Sequence, residues 1–303
     1  MNEFEAITEI LDVLAIPASE ESFIIGPGDD GAVIRPPSGQ DIVASIDTIL
    51  EGVHFPRGSD PALVGYRAFM VSASDIAAMG SDPAYAIVAL TLPEIELSTI
   101  RKLAEGLKEA SDDCRMPIVG GNLCYGKSMS ISISVHGWVP RGQELTRSGA
   151  KSGDKIFVSG FLGGAAAALE RNDLANQDKK SDLDPLTQAF FKPLARLELG
   201  VSIRGQANSA IDISDGLAKD LYALCSLSGV GGELDSSKIP IATGASLDQA
   251  LFGGDDYELC FTAASIPSGA EDIVSCIGKV VPSKGLWLDG EELEPNGYVH
   301  FSR

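Results

Sequence analysis

Residues 121–135 read Gly-Asn-Leu-Cys-Tyr-Gly-Lys-Ser-Met-Ser-Ile-Ser-Ile-Ser-Val, and the residues after Ser128 decide the fold. Gly121 to Ser128 fits the phosphate-loop pattern G-x-x-x-x-G-K-[ST] letter for letter. That pattern cradles phosphate only where it opens a helix, because the first turn supplies the amide donors. Here Ile131, Ile133 and Val135 alternate with Ser130, Ser132 and Ser134, which is the period of a half-buried strand. The phosphate loop is therefore refused. Gly26-Pro27-Gly28-Asp29-Asp30-Gly31 fits a dinucleotide glycine pattern no better in context. Its aspartates stand where a pyrophosphate must approach, and the next element is a strand rather than a helix.

Working outward, Phe4, Ile7, Ile10, Leu11 and Leu14 mark one face of a helix that ends before Pro17. Residues 32–34 and 42–46 read as strands. Asp60-Pro61 supplies a cap and a first-turn proline for a helix running to about Met79. Residues 85–92 form a buried strand, 97–114 a helix, and 116–119 a strand expected to break at Gly120-Gly121. The alternating strand after Ser130 closes a first domain, residues 1–141, and a Gly-, Ser- and charge-rich connector opens a second, 142–303. In that second half 155–159, 210–213 and 258–262 read as strands. The alanine-rich stretch after Gly163-Gly164, with 217–227 and 270–276, reads as helices, and the polar residues 171–184 as a mobile surface segment. Strands and helices alternate throughout, so the class is α/β (α+β) in two domains.

The chain of 303 residues carries 43 Asp and Glu against 23 Lys and Arg, a formal charge of −20. A nucleic-acid or anionic-membrane surface needs clustered positive charge, so neither partner is expected. No apolar run approaches the ~20 residues of a membrane span, and the acidic, amphipathic start does not read as a signal peptide. Five scattered cysteines without a C-x-x-C pair point to reduced thiols and a cytoplasmic protein.

Six aspartates lie among apolar or small residues instead of on solvated faces: Asp29, Asp30, Asp47, Asp75, Asp212 and Asp215. A buried carboxylate is expensive unless it is hydrogen-bonded, paired or metal-bound. With 43 acids and 23 bases, at least 20 acids have no exclusive basic partner. A cap or turn role is the alternative reading for each of them, and it is strongest for Asp215 before Gly216. Hard oxygen ligands gathered from strand ends and a helix interior suit Mg²⁺, which shares carboxylates with substrate phosphates and water. A nucleotide–magnesium site without a phosphate loop is the inference, and it requires these distant acids to converge around divalent cations.

The segments Gly28-Asp29-Asp30-Gly31-Ala32, Asp47-Thr48-Ile49-Leu50-Glu51-Gly52-Val53-His54-Phe55 and Ser74-Asp75-Ile76-Ala77-Ala78-Met79-Gly80 resemble those of thiamine-monophosphate kinases. So do Leu145-Thr146-Arg147-Ser148-Gly149-Ala150, Asp212-Ile213-Ser214-Asp215-Gly216-Leu217, Gly253-Gly254-Asp255-Asp256-Tyr257-Glu258-Leu259 and Gly297-Tyr298-Val299-His300-Phe301. That family belongs to a superfamily with aminoimidazole ribonucleotide synthetase, selenophosphate synthetase and a hydrogenase maturation factor.

The resemblance implies ATP-dependent phosphorylation of thiamine phosphate to thiamine diphosphate by in-line γ-phosphoryl transfer. It also implies an N-terminal domain whose sheet pairs with its copy into a barrel across a homodimer, and a C-terminal α/β domain. Magnesium ligands carry over to Asp30, Ser45, Asp47, Asp75, Asp212 and Asp215. Gly121, Arg147 and Ser214 match nucleotide-contacting positions, and His54, Asp255 and Tyr298 substrate-side ones. Asp47, Asp75, Asp212 and Arg147 would carry the catalysis. His54 also reads as a structural imidazole, and Tyr298 as C-terminal packing.

The chain departs from the family where Gly120-Gly121-Asn122-Leu123 replaces Gly-Gly-Asp-Thr, so that Asn122 stands at a metal-ligand position without its charge. Ile46 replaces a threonine and Asp255 a glutamate. Two alternatives stand beside the kinase: a non-catalytic binder of nucleotide or thiamine phosphate, and another ATP-dependent synthetase of the superfamily. No cysteine lies in the first glycine loop and none ends the chain, which disfavours selenophosphate synthesis and hydrogenase maturation.

Overall fold

The chain after Ser128 runs as an 11-residue strand, Ser130–Pro140, so the phosphate-loop letters open no helix. The computed structural model describes residues 1–15, 23–27, 30–171, 174–177 and 182–300. It divides into two units: Met1–Ile76, Asp82–Arg141 and Asp173–Leu183 form the first, and Ala77–Ser81, Gly142–Asn172 and Asp184–Arg303 the second.

The first unit contains α1 (Glu3–Leu14), β1 (Phe23–Ile25), β2 (Val33–Ile34), β3 (Gln40–Leu50), α2 (Pro61–Ala78), β4 (Asp82–Leu92), α3 (Leu97–Asp113), β5 (Ile118–Tyr125) and β6 (Ser130–Pro140). Its main sheet has the order β3-β6-β4-β5, antiparallel except for the parallel β4–β5 pair. Alternation divides the sheet into two faces. Ile131, Ile133 and Val135 of β6 are fully buried with Ile49, Val88 and Leu90. On the opposite face Ile42, Ile46, Leu50 and Ile87 are 53%, 64%, 39% and 39% exposed.

The start of α2 obeys the capping logic of its sequence. Asp60 Oδ1 accepts from Ala62 N at 2.8 Å, while its Oδ2 is held by Lys102 of α3 at 2.6 Å. The two helices also touch through their backbones. A Cβ on Gly106 would lie 1.9 Å from the Ala62 carbonyl oxygen, and one on Gly65 2.6 Å from that of Leu103.

One expectation fails here. The strand does not break at Gly120-Gly121 but continues as β5 to Tyr125, with Gly120 opposite Ile87 and Gly121 opposite Val88. Glycine is needed rather than disruptive, since a Cβ at 121 would meet the Val88 carbonyl at 2.3 Å.

The second unit contains β7 (Lys155–Ser159), α4 (Gly164–Glu170), α5 (Pro185–Phe191), α6 (Leu197–Ile203), β8 (Ser209–Asp212), α7 (Leu217–Ser228), β9 (Gly231–Leu234), α8 (Leu247–Phe252), β10 (Leu259–Ala263), β11 (Val274–Val281), β12 (Gly285–Leu288) and β13 (Glu291–Glu292). They build a seven-stranded sheet in the order β13-β12-β9-β11-β7-β10-β8. Leu217, Leu221 and Leu224 of α7 pack into one core with Ile156, Val158, Ile211 and Leu286 of the sheet. Phe157 and Phe261 stack at 5.2 Å between ring centroids.

The helix expected at 270–276 is absent. From Val274 the chain is β11, paired with both β7 and β9, and long-range pairing overrides a weak local preference. Residues 172–173 and 178–181 of the polar segment lie outside the described residues. Arg171 and Asp184 at its ends form a two-pronged ion pair at 2.7 and 3.1 Å, and Asp184 caps α5.

The α2–α3 contact yields a test. Gly→Ala inside an exposed helix stabilises by about 1 kcal/mol. Gly106→Ala is instead expected to cost about 1–3 kcal/mol by overpacking, read as a lower midpoint in urea unfolding; a raised midpoint would contradict the close approach.

Candidate functional site

In the first unit, the alternation of β3 sends Ser45 and Asp47 to the buried face, and α2 brings Asp75 against them. Ser45 Oγ donates to Asp75 Oδ2 at 2.5 Å. Asp47 lies beside the same carboxylate, and its pKa is pushed up to about 7, first by burial and then by the charge and hydrogen bonding of Asp75. No Lys or Arg among the described residues pairs with either acid. Two adjacent carboxylates and one hydroxyl, without a base, form a hard-oxygen donor set that a divalent cation would relieve.

Among the described residues no group of three or more His, Cys, Asp and Glu side chains is arranged to hold a metal. Two carboxylates nevertheless fit Mg²⁺, which completes its shell with water and phosphate oxygens.

Asp30, Gly121 and Asn122 line a cavity of about 650 Å³ within this unit, with Ile7, Ile10 and Leu11 of α1 contributing its apolar wall. That volume suits a small-molecule ligand. Asp29, the neighbour of Asp30, lies outside the described residues. In the sheet register Gly121 stands in the row of Val88, Ile133 and Asp47. Asn122 stands in the next row, with Ala89, Ser132 and Thr48, so the register does not bring it to the Asp47–Asp75 pair. His54 lies in a turn after β3 and its Nδ1 accepts from Leu50 N at 3.0 Å, which places the ring proton on Nε2.

In the second unit, β8 ends at buried Asp212, and the chain turns through Ser214-Asp215-Gly216 into α7. The amides of Ser214, Asp215 and Gly216 all donate to Asp220 Oδ2, at 3.0, 2.9 and 3.1 Å. Burial, aided by the charge of Asp215, lifts Asp220 to about 6 against the pull of those amides. Asp215 caps no helix, the N-cap of α7 being Gly216 without a side-chain bond; its carboxylate is instead ion-paired with Lys219 at 2.6 Å.

Asp255 reaches the same loop, its amide donating to Ser214 O at 2.8 Å and its Oδ1 accepting from Tyr257 OH at 2.9 Å. Asp255 and Tyr257 both adopt left-handed backbone, at φ 62° and 52°, conformations that persist where surrounding structure fixes them. Arg147 is exposed, and Tyr298 is 41% exposed with its ring edge-on to His300.

Sequence reasoning missed Asp220, Lys219 and a triad in which half-buried Arg196 grips buried Glu258 at 2.6 Å through both prongs while Ser159 donates to the same carboxylate. Asp215 and Lys219 were legible as an i,i+4 pair. Arg196 and Glu258, 62 positions apart, were not.

A mixed-sheet unit with paired acids in place of a phosphate loop defines the class. Residues 28–139 match the family "AIR synthase related protein, N-terminal domain". Over 99% of its length the chain is 38% identical to the thiamine-monophosphate kinase of Escherichia coli (strain K12), covering 98% of that protein. The chain belongs to the thiamine-monophosphate kinase family. It is also similar to the crystal structure of that kinase from Stenotrophomonas maltophilia K279a, at TM-score 0.86 and 34% identity, over 97% of this chain and 98% of that one. A structure of AaThiL complexed with AMPPCP and TMP gives TM-score 0.79 and 33% identity, over 99% and 97%.

The raised carboxyl sets a pH dependence. A folded pKa above the unfolded one contributes stability below the ordinary value of 3.8 that is lost as pH rises through about 7. Asp47→Asn is therefore expected to raise the Tm of the metal-free protein more at pH 8 than at pH 5 in scanning fluorimetry, and to abolish the Tm gain that Mg²⁺ gives the parent at pH 8. Equal gains at both pH values would refute the pairing.

Proposed function

We propose that this chain phosphorylates thiamine phosphate to thiamine diphosphate with ATP, by in-line transfer of the γ-phosphoryl group. The observation that carries the reading is the Asp47–Asp75 pair, which no base among the described residues joins, in a chain 38% identical to a kinase of that name. Asp30, Ser45, Asp47 and Asp75 of the first unit would hold Mg²⁺, as would Asp212 and Asp215 within the second; Asn122, one sheet row from Asp47, would reach a cation only through its water. When bound, Mg²⁺ neutralises phosphate oxygens and aligns them for displacement.

Gly121 and Asn122 line the cavity that the nucleotide takes in this reading. In the second unit Ser214 and Arg147 are the nucleotide contacts of this reading, Arg147 by giving its guanidinium to developing charge on the transferred group. His54, as the Nε2–H tautomer, donates to the acceptor phosphate. Asp255 and Tyr298 face the cationic thiazolium, the tyrosine ring through a cation–π contact. The acceptor phosphate is itself the nucleophile once its charge is screened, so no general base is required. Asp47, Asp75 and Asp212 act by holding the cations, and Arg147 by direct charge neutralisation.

The exposed apolar face of β3 and β4, with Ile42, Ile46 and Ile87, supports a homodimer in which two such sheets cover one another. Residues 1–141 are then the ATP- and Mg-binding and dimerisation domain, and 142–303 the C-terminal domain. The free cysteines fit a cytoplasmic enzyme; among the described residues no helix is long and apolar enough to cross a membrane.

Incubation with Mg-ATP and thiamine phosphate, then chromatography, is expected to yield thiamine diphosphate and ADP; tight binding of both substrates without product would mark a binding protein instead. Asp75→Asn should lower kcat by about 10²-fold or more. Asn122→Asp restores a charge and should lower the half-saturating Mg²⁺ concentration, whereas an unchanged value would remove residue 122 from the ligand set.

A further inference from the structure

Asp215 spends its polar groups on its own neighbourhood. Its amide goes to Asp220 at 2.9 Å, its carbonyl accepts from Tyr298 N at 2.9 Å, and its Oδ2 is held by Lys219 Nζ at 2.6 Å. The same Nζ donates to the Tyr298 carbonyl, also at 2.6 Å. Gly297 lies flat against this arrangement. A Cβ there would stand 2.5 Å from the Asp215 carbonyl oxygen and 2.9 Å from Lys219 Cβ. One ammonium thus joins a carboxylate at the mouth of α7 to the C-terminal strap, and the strap fits only because residue 297 has no side chain.

We infer that Lys219 is a positioning residue that couples the two ends of the reaction, clasping the strap that carries Tyr298 while occupying the carboxylate of Asp215. This rests on the reading of Asp215 as a cation ligand and Tyr298 as a thiamine-phosphate contact. An ammonium has three donors and no acceptor, so two bonds to separate segments use most of its capacity and fix their spacing. It also repels a divalent cation arriving at the same carboxylate. Lys219 therefore favours the acceptor substrate and disfavours the cation, and its removal moves the two constants in opposite directions.

Lys219→Met keeps the aliphatic stem and loses both bonds. Steady-state kinetics should show KM for thiamine phosphate rising about tenfold, and the Mg²⁺ concentration that half-saturates the thermal shift of the enzyme should fall about threefold or more, while Lys219→Arg returns both toward the parent. Gly297→Ala, which lifts the strap but leaves the Lys219–Asp215 pair, should raise KM without lowering the Mg²⁺ requirement. A purely structural lysine would lower kcat and Tm with both constants unmoved, and that result overturns the inference, as does a Mg²⁺ requirement that rises. Asp215→Asn separates the two readings. If it leaves the Mg²⁺ dependence unchanged, the cation role of Asp215 has failed, and an unchanged KM in Lys219→Met then overturns the clasp on its own.

Discussion

Two carboxylates forced together, with no base among the described residues to pair them, are the constraint around which the first unit is organised. Asp47 and Asp75 oppose one another electrostatically, and burial makes ionisation of the pair dearer still. The scaffold holds them regardless. β3 is locked to β6 from Gln40 opposite Pro140 through to Leu50 opposite Ser130. α2 is pinned at its start by Asp60 and Lys102. Local frustration on a rigid frame is what a site looks like before the ligand that resolves it arrives.

Much of this was legible in the sequence because it is written in periods and caps. The Ser–Ile alternation of β6 announces its two faces, and Asp60-Pro61 announces α2. The same period-two signal is what refuses the phosphate loop. Asp47 and Asp75 were suspected because an acid inside an apolar run is costly, a judgement that needs composition alone. That Asp75 meets both Ser45 and Asp47 needed the register of β3 and the rotation of α2, which no local pattern encodes.

The misreadings have physical causes as well. Gly120-Gly121 reads as a break by propensity, yet pairing with β4 carries β5 through it, and at 121 the Val88 carbonyl leaves room only for glycine. Residues 274–276 are too few to show a period, so pairing with β7 and β9 settles their conformation. α5, α6 and α8 have 7, 7 and 6 residues, too short to display an amphipathic stripe. Asp220 went unnoticed because a carboxylate gathering three amides of a preceding loop leaves no mark on composition.

The bare crossing of α2 and α3 reaches further than its own contacts. Gly65 and Asp75 share one helix and stand ten residues apart, about 15 Å along its axis. A helix transmits axial displacement as a stiff rod, so the crossing acts as a fulcrum and the carboxylate as the far end of a lever. Heat-sensitive or metal-shifted variants of this protein would therefore arise at the fulcrum as readily as at the acids themselves, in residues that touch neither nucleotide nor cation.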